Sequence, residues 1–187
     1  MTISVLLGVL EHQEVIEKVK NQLLDEVELI GYKCKNAIEL GCTIFFMGNG
    51  GSAADSQHLA AELVGRFYKE RKGLPAIALT TDTSILTAVG NDYGYEEVFS
   101  RQIEALTKPN DIVFGLSTSG NSSNIIKAID KAKKSGAITI GLTGNDGGQL
   151  KEICDHCLII PSNNTARIQE AHILIGHIIC EIIDEGF

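Results

Sequence analysis

No stretch of this sequence approaches the ~18 consecutive apolar residues that a membrane span requires. The first ten residues lack a basic start, and Glu11 and His12 interrupt them too early for a secretory signal. A cytoplasmic location is the expectation. Positive charge is also scarce: 16 Lys and Arg stand against 24 Asp and Glu, for a formal net charge of −8. The basic residues are scattered, with only Lys131, Lys133 and Lys134 close together, so no stripe could neutralise a nucleic-acid backbone. There is no Pro/Gly/Ser-rich linker and no repeat of the solenoid kind, which argues for one unit over residues 1–187. Within it, residues 1–40 read as an N-terminal helical segment and 41–187 as the core with a C-terminal helix.

Cysteine is present in an odd number, five, in a chain without an export signal, so reduced thiols are expected. The pair Cys154 and Cys157 lacks a second Cys or His pair for a zinc site. It also precedes a strand, where a thioredoxin-type motif follows one. Ordinary helix-end and strand cysteines are the expectation.

Apolar periodicity from Leu6 to Leu40 is helical, broken near Asn21, with Gly41 as a stop signal. Five short, nearly continuous apolar runs follow: Thr43 to Met47, Ala76 to Leu79, Ile112 to Leu116, Ile138 to Leu142 and Cys157 to Ile160. Such runs suit strands covered on both faces. Helical patterns lie between them, at Ser52 to Phe67, Ser84 to Val89, Glu96 to Leu106, Ser122 to Lys134 and Gly148 to Ile153, and a last one runs from Thr165 to Ile183. Alternation of this kind predicts an α/β fold. Its expected form is a three-layer αβα sandwich on a five-stranded, doubly wound parallel sheet, with long N- and C-terminal helices.

In open parallel sheets ligands bind beyond the carboxyl ends of the strands, which directs attention to two loops. The first, Gly48-Asn49-Gly50-Gly51-Ser52-Ala53-Ala54-Asp55, can turn sharply and aim backbone amides at an anion. It also matches a dinucleotide spacing through Gly48, Gly50 and Ala53, so an NAD-binding oxidoreductase is one alternative. Against it, Asp82 lies about 30 residues beyond the last of these positions, where the usual interval is ~20. The second loop, Ser117-Thr118-Ser119-Gly120-Asn121-Ser122, offers four hydroxyls at a helix N-terminus and suits a phosphate monoester. It lacks the lysine of a P-loop. The plainer reading is helix capping, which uses one or two such side chains.

His58 and Glu62 are spaced i, i+4 and share a helix face, able to hold a metal or to pair an acid with a base. The last helix carries Gln169, His172 and His177 among apolar residues. Any one histidine there could be a satisfied core residue.

Five motifs in order bring a family into view: the first loop, Leu79-Thr80-Thr81-Asp82, Gly90-Asn91-Asp92-Tyr93-Gly94, Ser117 to Ser122, and Thr165-Ala166-Arg167-Ile168-Gln169-Glu170. Together they resemble the phosphoheptose isomerases of the sugar isomerase (SIS) domain superfamily, from about Leu6 to Phe187. The resemblance implies an aldose–ketose isomerase that converts sedoheptulose 7-phosphate to D-glycero-D-manno-heptose 7-phosphate, at the head of the route to the heptose of lipopolysaccharide and capsules. It implies that Ser52, Ser117, Thr118, Ser119 and Ser122 bind substrate, with the phosphate in the serine-rich loop. Asn49, Gly50, Gly51, Asn91, Asp92 and Gln169 would line the sugar, with Glu62 also touching it. Zinc would be held by His58, Glu62, Gln169 and His177, and Glu62 and His177 would be acid and base. A non-catalytic SIS-domain protein that binds a sugar phosphate or the replication initiator is the nearest alternative.

Moving a proton between neighbouring carbons through an enediol calls for a group that takes the carbon-bound proton and another at the carbonyl oxygen, which a carboxylate and an imidazole supply. Eight residues of helix separate Gln169 from His177, about 12 Å of rise, against roughly 4 Å between two ligands of one zinc. The implied ligand set is therefore expected to be completed between subunits of a symmetric oligomer, a tetramer.

Overall fold

The five apolar runs become one sheet in a computed structural model that describes residues 3–187. Two helices open the chain, α1 (Ile3–Gln22) and α2 (Leu24–Glu39), and then strands and helices alternate. The order is β1 (Ile44–Gly48), α3 (Gly51–Val64), β2 (Ala76–Ala78), α4 (Thr83–Asp92), a 3-10 turn (Tyr95–Glu97) and α5 (Ser100–Leu106). It continues with β3 (Ile112–Leu116), α6 (Ser123–Lys134), β4 (Ile138–Thr143), α7 (Gly148–Ile153), β5 (His156–Ile159) and α8 (Thr165–Asp184). Every pairing is parallel and the strand order is β2-β1-β3-β4-β5. The expected doubly wound α/β architecture is what forms.

The side-chain alternation of the central strands sorts the core into two halves. Ile44, Phe46, Ile112 and Phe114 face one side, where they meet Leu59 and Leu63 of α3, Ile30 and Cys34 of α2, and Ile175 and Ile179 of α8. Phe45, Met47 and Val113 face the other side and meet Phe99, Ile103, Ile125, Ile129 and Leu150. Burial of β1 and β3 on both faces explains why their sequences show no polar alternation. The chain steps from β1 outward to β2 and then returns to the far flank of β1 as β3. That reversal is a topological switch point, and it opens a crevice between the loops that leave β1 and β3.

Most boundaries fall within two residues of the sequence pattern, and the departures have local causes. The first helix of the core ends at Val64 instead of Phe67 because the Arg71 guanidinium takes the carbonyls of Glu62 and Leu63, at 3.0 and 2.9 Å. The pattern over Glu96 to Leu106 divides into a 3-10 turn and α5, since Val98 and Phe99 both turn into the core. The opening helices part at Leu23, and Gly41 leaves α2 at a φ of +81°, a conformation that suits glycine. Cys154 ends α7 and Cys157 lies in β5; both are free thiols whose pKa is pushed up chiefly by burial, as befits structural cysteines. No helix among the described residues is long and apolar enough to cross a membrane.

A buried ion pair closes the far end of the helical layer. Arg71 Nε lies 2.6 Å from Asp184 Oδ1, and both side chains are 2% exposed. Asp184 Oδ2 also accepts from the backbone N–H groups of Lys69 and Tyr68. Burial alone would raise the pKa of this carboxyl, but those N–H groups and the guanidinium outweigh it and hold it below its ordinary value. A depressed carboxylate pKa contributes stability that is present above the unfolded value and lost as pH falls through the folded one. Arg71→Met should therefore cost about 3–5 kcal/mol in urea unfolding at neutral pH, by stranding a buried charge. The deficit should shrink as the pH is lowered through the acid range, where Asp184 takes up a proton and no charge is left stranded.

Candidate active site

At the crevice, the first loop turns through Gly50, whose φ of +56° suits a residue without a Cβ. Ser52 is buried, and its backbone N–H donates to the Asn49 carbonyl at 3.0 Å as α3 begins. The second loop turns through Gly120 at a φ of +66°, against the Gly147 carbonyl, where a Cβ would lie at 2.0 Å. Ser117 Oγ and Ser122 Oγ are 2.9 Å apart. Ser122 occupies the N-cap of α6 yet makes no side-chain capping bond, so its hydroxyl is not spent on the helix. Asn121 does cap a helix, but a different one: its Oδ1 accepts from Gln149 N in the first turn of α7, at 3.0 Å. Capping thus accounts for Asn121, and leaves the hydroxyls of Ser117, buried, and Ser122, half-buried, paired with each other.

The reactive side chains come from α3 and α8, which run side by side. Gly176 of α8 lies against Leu59 of α3 so closely that a Cβ would sit 2.5 Å from Leu59 Cδ2. These two residues are the chain neighbours of His177 and His58, so the close approach brings the imidazoles together. His177 Nε2 lies 2.9 Å from His58 Nε2, and His58 Nε2 lies 3.1 Å from Glu62 Oε1. One ligand atom from each of His58, Glu62 and His177 falls within 4.8 Å of the others. Two imidazole nitrogens and a carboxylate oxygen at this spacing are a donor set of the type zinc takes, with bonds near 2.0–2.2 Å. The Phe67 ring, 5.8 Å from that of His177, borders the cluster.

Gln169 is elsewhere. It stands two helical turns earlier on α8, beside Gly51, where a Cβ would come within 2.8 Å of its amide. The single chain therefore assembles three of the four residues of the implied ligand set and keeps Gln169 apart, in line with the rise of the helix. Asn91 and Asp92 end α4, exposed and bonded to each other at 2.8 Å. Asp82 caps α4, its Oδ1 accepting from Ile85 N at 2.9 Å, which commits the carboxylate that a dinucleotide reading would need. His172 is a core residue: fully buried, Nε2 donating to the Thr143 carbonyl at 3.0 Å, its pKa lowered by burial to about 4.

Three residues at the site have no role in the sequence reading. Asp55, one turn before His58, has a buried Oδ2 with no partner, and burial raises its pKa against the opposing pull of His58 and His177. Asn124 and Tyr95 both bond the side chain of Asn49. The i, i+3 spacing of Asp55 and His58 was a usable signal; nothing local marked Asn124 or Tyr95.

A doubly wound αβα layer with a hydroxyl loop at its switch point and a carboxylate–imidazole cluster between α3 and α8 defines an α/β domain of the sugar-isomerase class. The SIS domain family model matches residues 10–144. The chain is 55% identical over 178 residues to the phosphoheptose isomerase of a Nitratiruptor species, covering 95% of each, and 54% identical over 180 residues to that of Campylobacter jejuni subsp. jejuni serotype O:6, again covering 95% of each. Its fold superposes on the phosphoheptose isomerase of Neisseria gonorrhoeae with a TM-score of 0.92 at 41% identity, covering 97% of each chain. For the enzyme from Francisella tularensis the TM-score is 0.94 at 37% identity, covering 99% of this chain and 100% of the other. The chain belongs to the phosphoheptose isomerase family of SIS-domain proteins.

The glycine at 176 yields a direct test of the cluster's origin. Gly176→Ala should push α8 off α3 and separate His177 from His58 and Glu62. An added methyl in a closed helix contact costs about 1–3 kcal/mol of stability. The displacement should also lower turnover by roughly a hundredfold if it reaches 1 Å. Thermal unfolding and steady-state rates on the folded protein separate the two effects.

Proposed function

We propose that this protein is the aldose–ketose isomerase that converts sedoheptulose 7-phosphate to D-glycero-D-manno-heptose 7-phosphate. The observation that carries the reading is the convergence of Glu62 and His58 of α3 with His177 of α8 into one carboxylate–imidazole cluster, in a fold whose β3–α6 loop is lined with hydroxyls. The family's named relatives support the same substrate.

The phosphate is bound by Ser117, Thr118, Ser119 and Ser122, with the N-terminus of α6 behind them. Ser52 and the backbone of Asn49, Gly50 and Gly51 border the sugar, and Asn91, Asp92 and Gln169 supply hydroxyl partners. With the phosphate anchored, the reacting carbons are held against the carboxylate, and that positioning itself lowers the barrier. Glu62 takes a proton from C1 of the ketose while His177 gives one to the oxygen on C2, forming the enediol. Glu62 then returns a proton to C2 while His177 receives the one from the oxygen on C1, leaving the aldose. Atoms and charge balance, and no redox partner is needed.

His58, Glu62 and His177 would hold a zinc ion, and Gln169 of a neighbouring copy would supply the fourth ligand. Bound there, zinc would act as a Lewis acid toward the carbonyl oxygen. The reading includes a homotetramer with sites shared between copies. In it, the N-terminal segment 1–40, whose first two residues lie outside the described ones, packs between subunits, and Val5, Leu6, Val9 and Leu10 of α1 are open to such contact, each about half exposed. Residues 1–187 act as one domain, in the cytoplasm, feeding the heptose of lipopolysaccharide or capsule.

Incubation with sedoheptulose 7-phosphate, followed by NMR, should show aldose accumulating. Glu62→Gln and His177→Ala should stay folded and lose about 10²–10⁴ in kcat; rates equal to the parent would end the reading. His58→Ala should lower zinc content measured after dialysis. Sedimentation should give a tetramer, and a fully active monomer would exclude shared sites.

A further inference from the structure

Asn49 in the first loop and Asn124 in the first turn of α6 face each other amide to amide across the switch point. Asn49 Nδ2 donates to Asn124 Oδ1 at 2.9 Å, and Asn124 Nδ2 donates to Asn49 Oδ1 at 2.9 Å. Two further bonds hold the ring in place: Ile125 N donates to Asn124 Oδ1 at 3.0 Å, and the Tyr95 hydroxyl donates to Asn49 Oδ1 at 3.1 Å. Asn124 is 3% exposed. A primary amide taken out of water is costly unless its donor and acceptor are both met, and here each amide meets that need for the other, 75 residues apart in the chain. A reciprocal pair fixes separation and tilt together, which a single bond does not. The residues it joins lead directly into Gly50–Ser52 on one side and follow Ser117–Ser122 on the other.

We propose that Asn124 is a positioning residue for the isomerisation. By clasping Asn49 it sets the spacing between the loop that holds the phosphate and the loop that borders the reacting carbons, and Asn49 serves the reaction through this clasp and not by its side chain reaching the sugar. The inference rests on the isomerase reading. A phosphorylated heptose spans both loops at once, so an error in their spacing misplaces the carbons relative to Glu62 even when the phosphate is well seated.

The test is a double-mutant cycle on the full-length protein with Asn49→Ala, Asn124→Ala and both together. It is read by kcat and KM for sedoheptulose 7-phosphate, by thermal unfolding, and by the affinity for inorganic phosphate. Each single variant should lose about ten- to a hundredfold in kcat/KM, mostly in kcat. The double variant should be no worse than the poorer single one, because both remove the same clasp. Inorganic phosphate should bind all of them as it binds the parent. Losses that multiply in the double variant would give Asn49 a contact of its own and overturn the proposal. Lowered melting temperatures with unchanged kcat/KM would overturn it too, by making the pair merely structural. If Asn124→Ala does not fold, Asn124→Asp keeps the volume and sets an oxygen against Asn49 Oδ1, and the same loss in kcat is expected. Absence of turnover in the parent would instead sink the isomerase reading, and this inference with it.

Discussion

The contact between α3 and α8 is the constraint on which the rest of the site depends. Two helices pack at 8–10 Å when side chains of ordinary size lie between them, and Gly176 against Leu59 permits a closer seat. Only at that distance do imidazoles one residue along each helix come within 2.9 Å. The same pair of helices is tied at its far end by Arg71 and Asp184 and meets at its near end through Gln169 and Gly51. The cluster is therefore set by packing along the whole length of α8, with the reactive groups placed between a buried ion pair and the mouth of the crevice.

The sheet contributes a second, independent geometry. Because β1 and β3 are neighbours although β2 intervenes in sequence, the loops that follow them share one crevice. Each loop turns through a glycine at positive φ, and each exposes polar groups that the helices do not consume. Ser122 sits at a helix N-cap without capping it, while Asn121 caps the helix next door. Hydroxyls left free of capping are available to a ligand, and this gives the phosphate reading its physical content.

Much of this was legible in the residues. The five strands were visible as short apolar runs, because strands covered on both faces must be apolar throughout. The pairing of His58 with Glu62 followed from one helical turn, and the separation of Gln169 from His177 followed from the rise of a helix. The end of α3 at Val64 was not visible, because Arg71 reaches back from a later loop to take its carbonyls. The division of Glu96 to Leu106 was hidden too, since the apolar pattern there serves two short elements that both bury their side chains.

Local spacing alone determined which residue types stand on which element: the hydroxyls in one loop, the glycines in the other, a carboxylate and an imidazole on one helix and a second imidazole on another. Which of them meet was decided only by tertiary structure. His177 joins His58 across 119 positions of chain and Asn124 joins Asn49 across 75. Periodicity describes a residue's own helix or strand and carries no record of the partner element, so contacts made across the sheet and between helices exist only once the layers have packed.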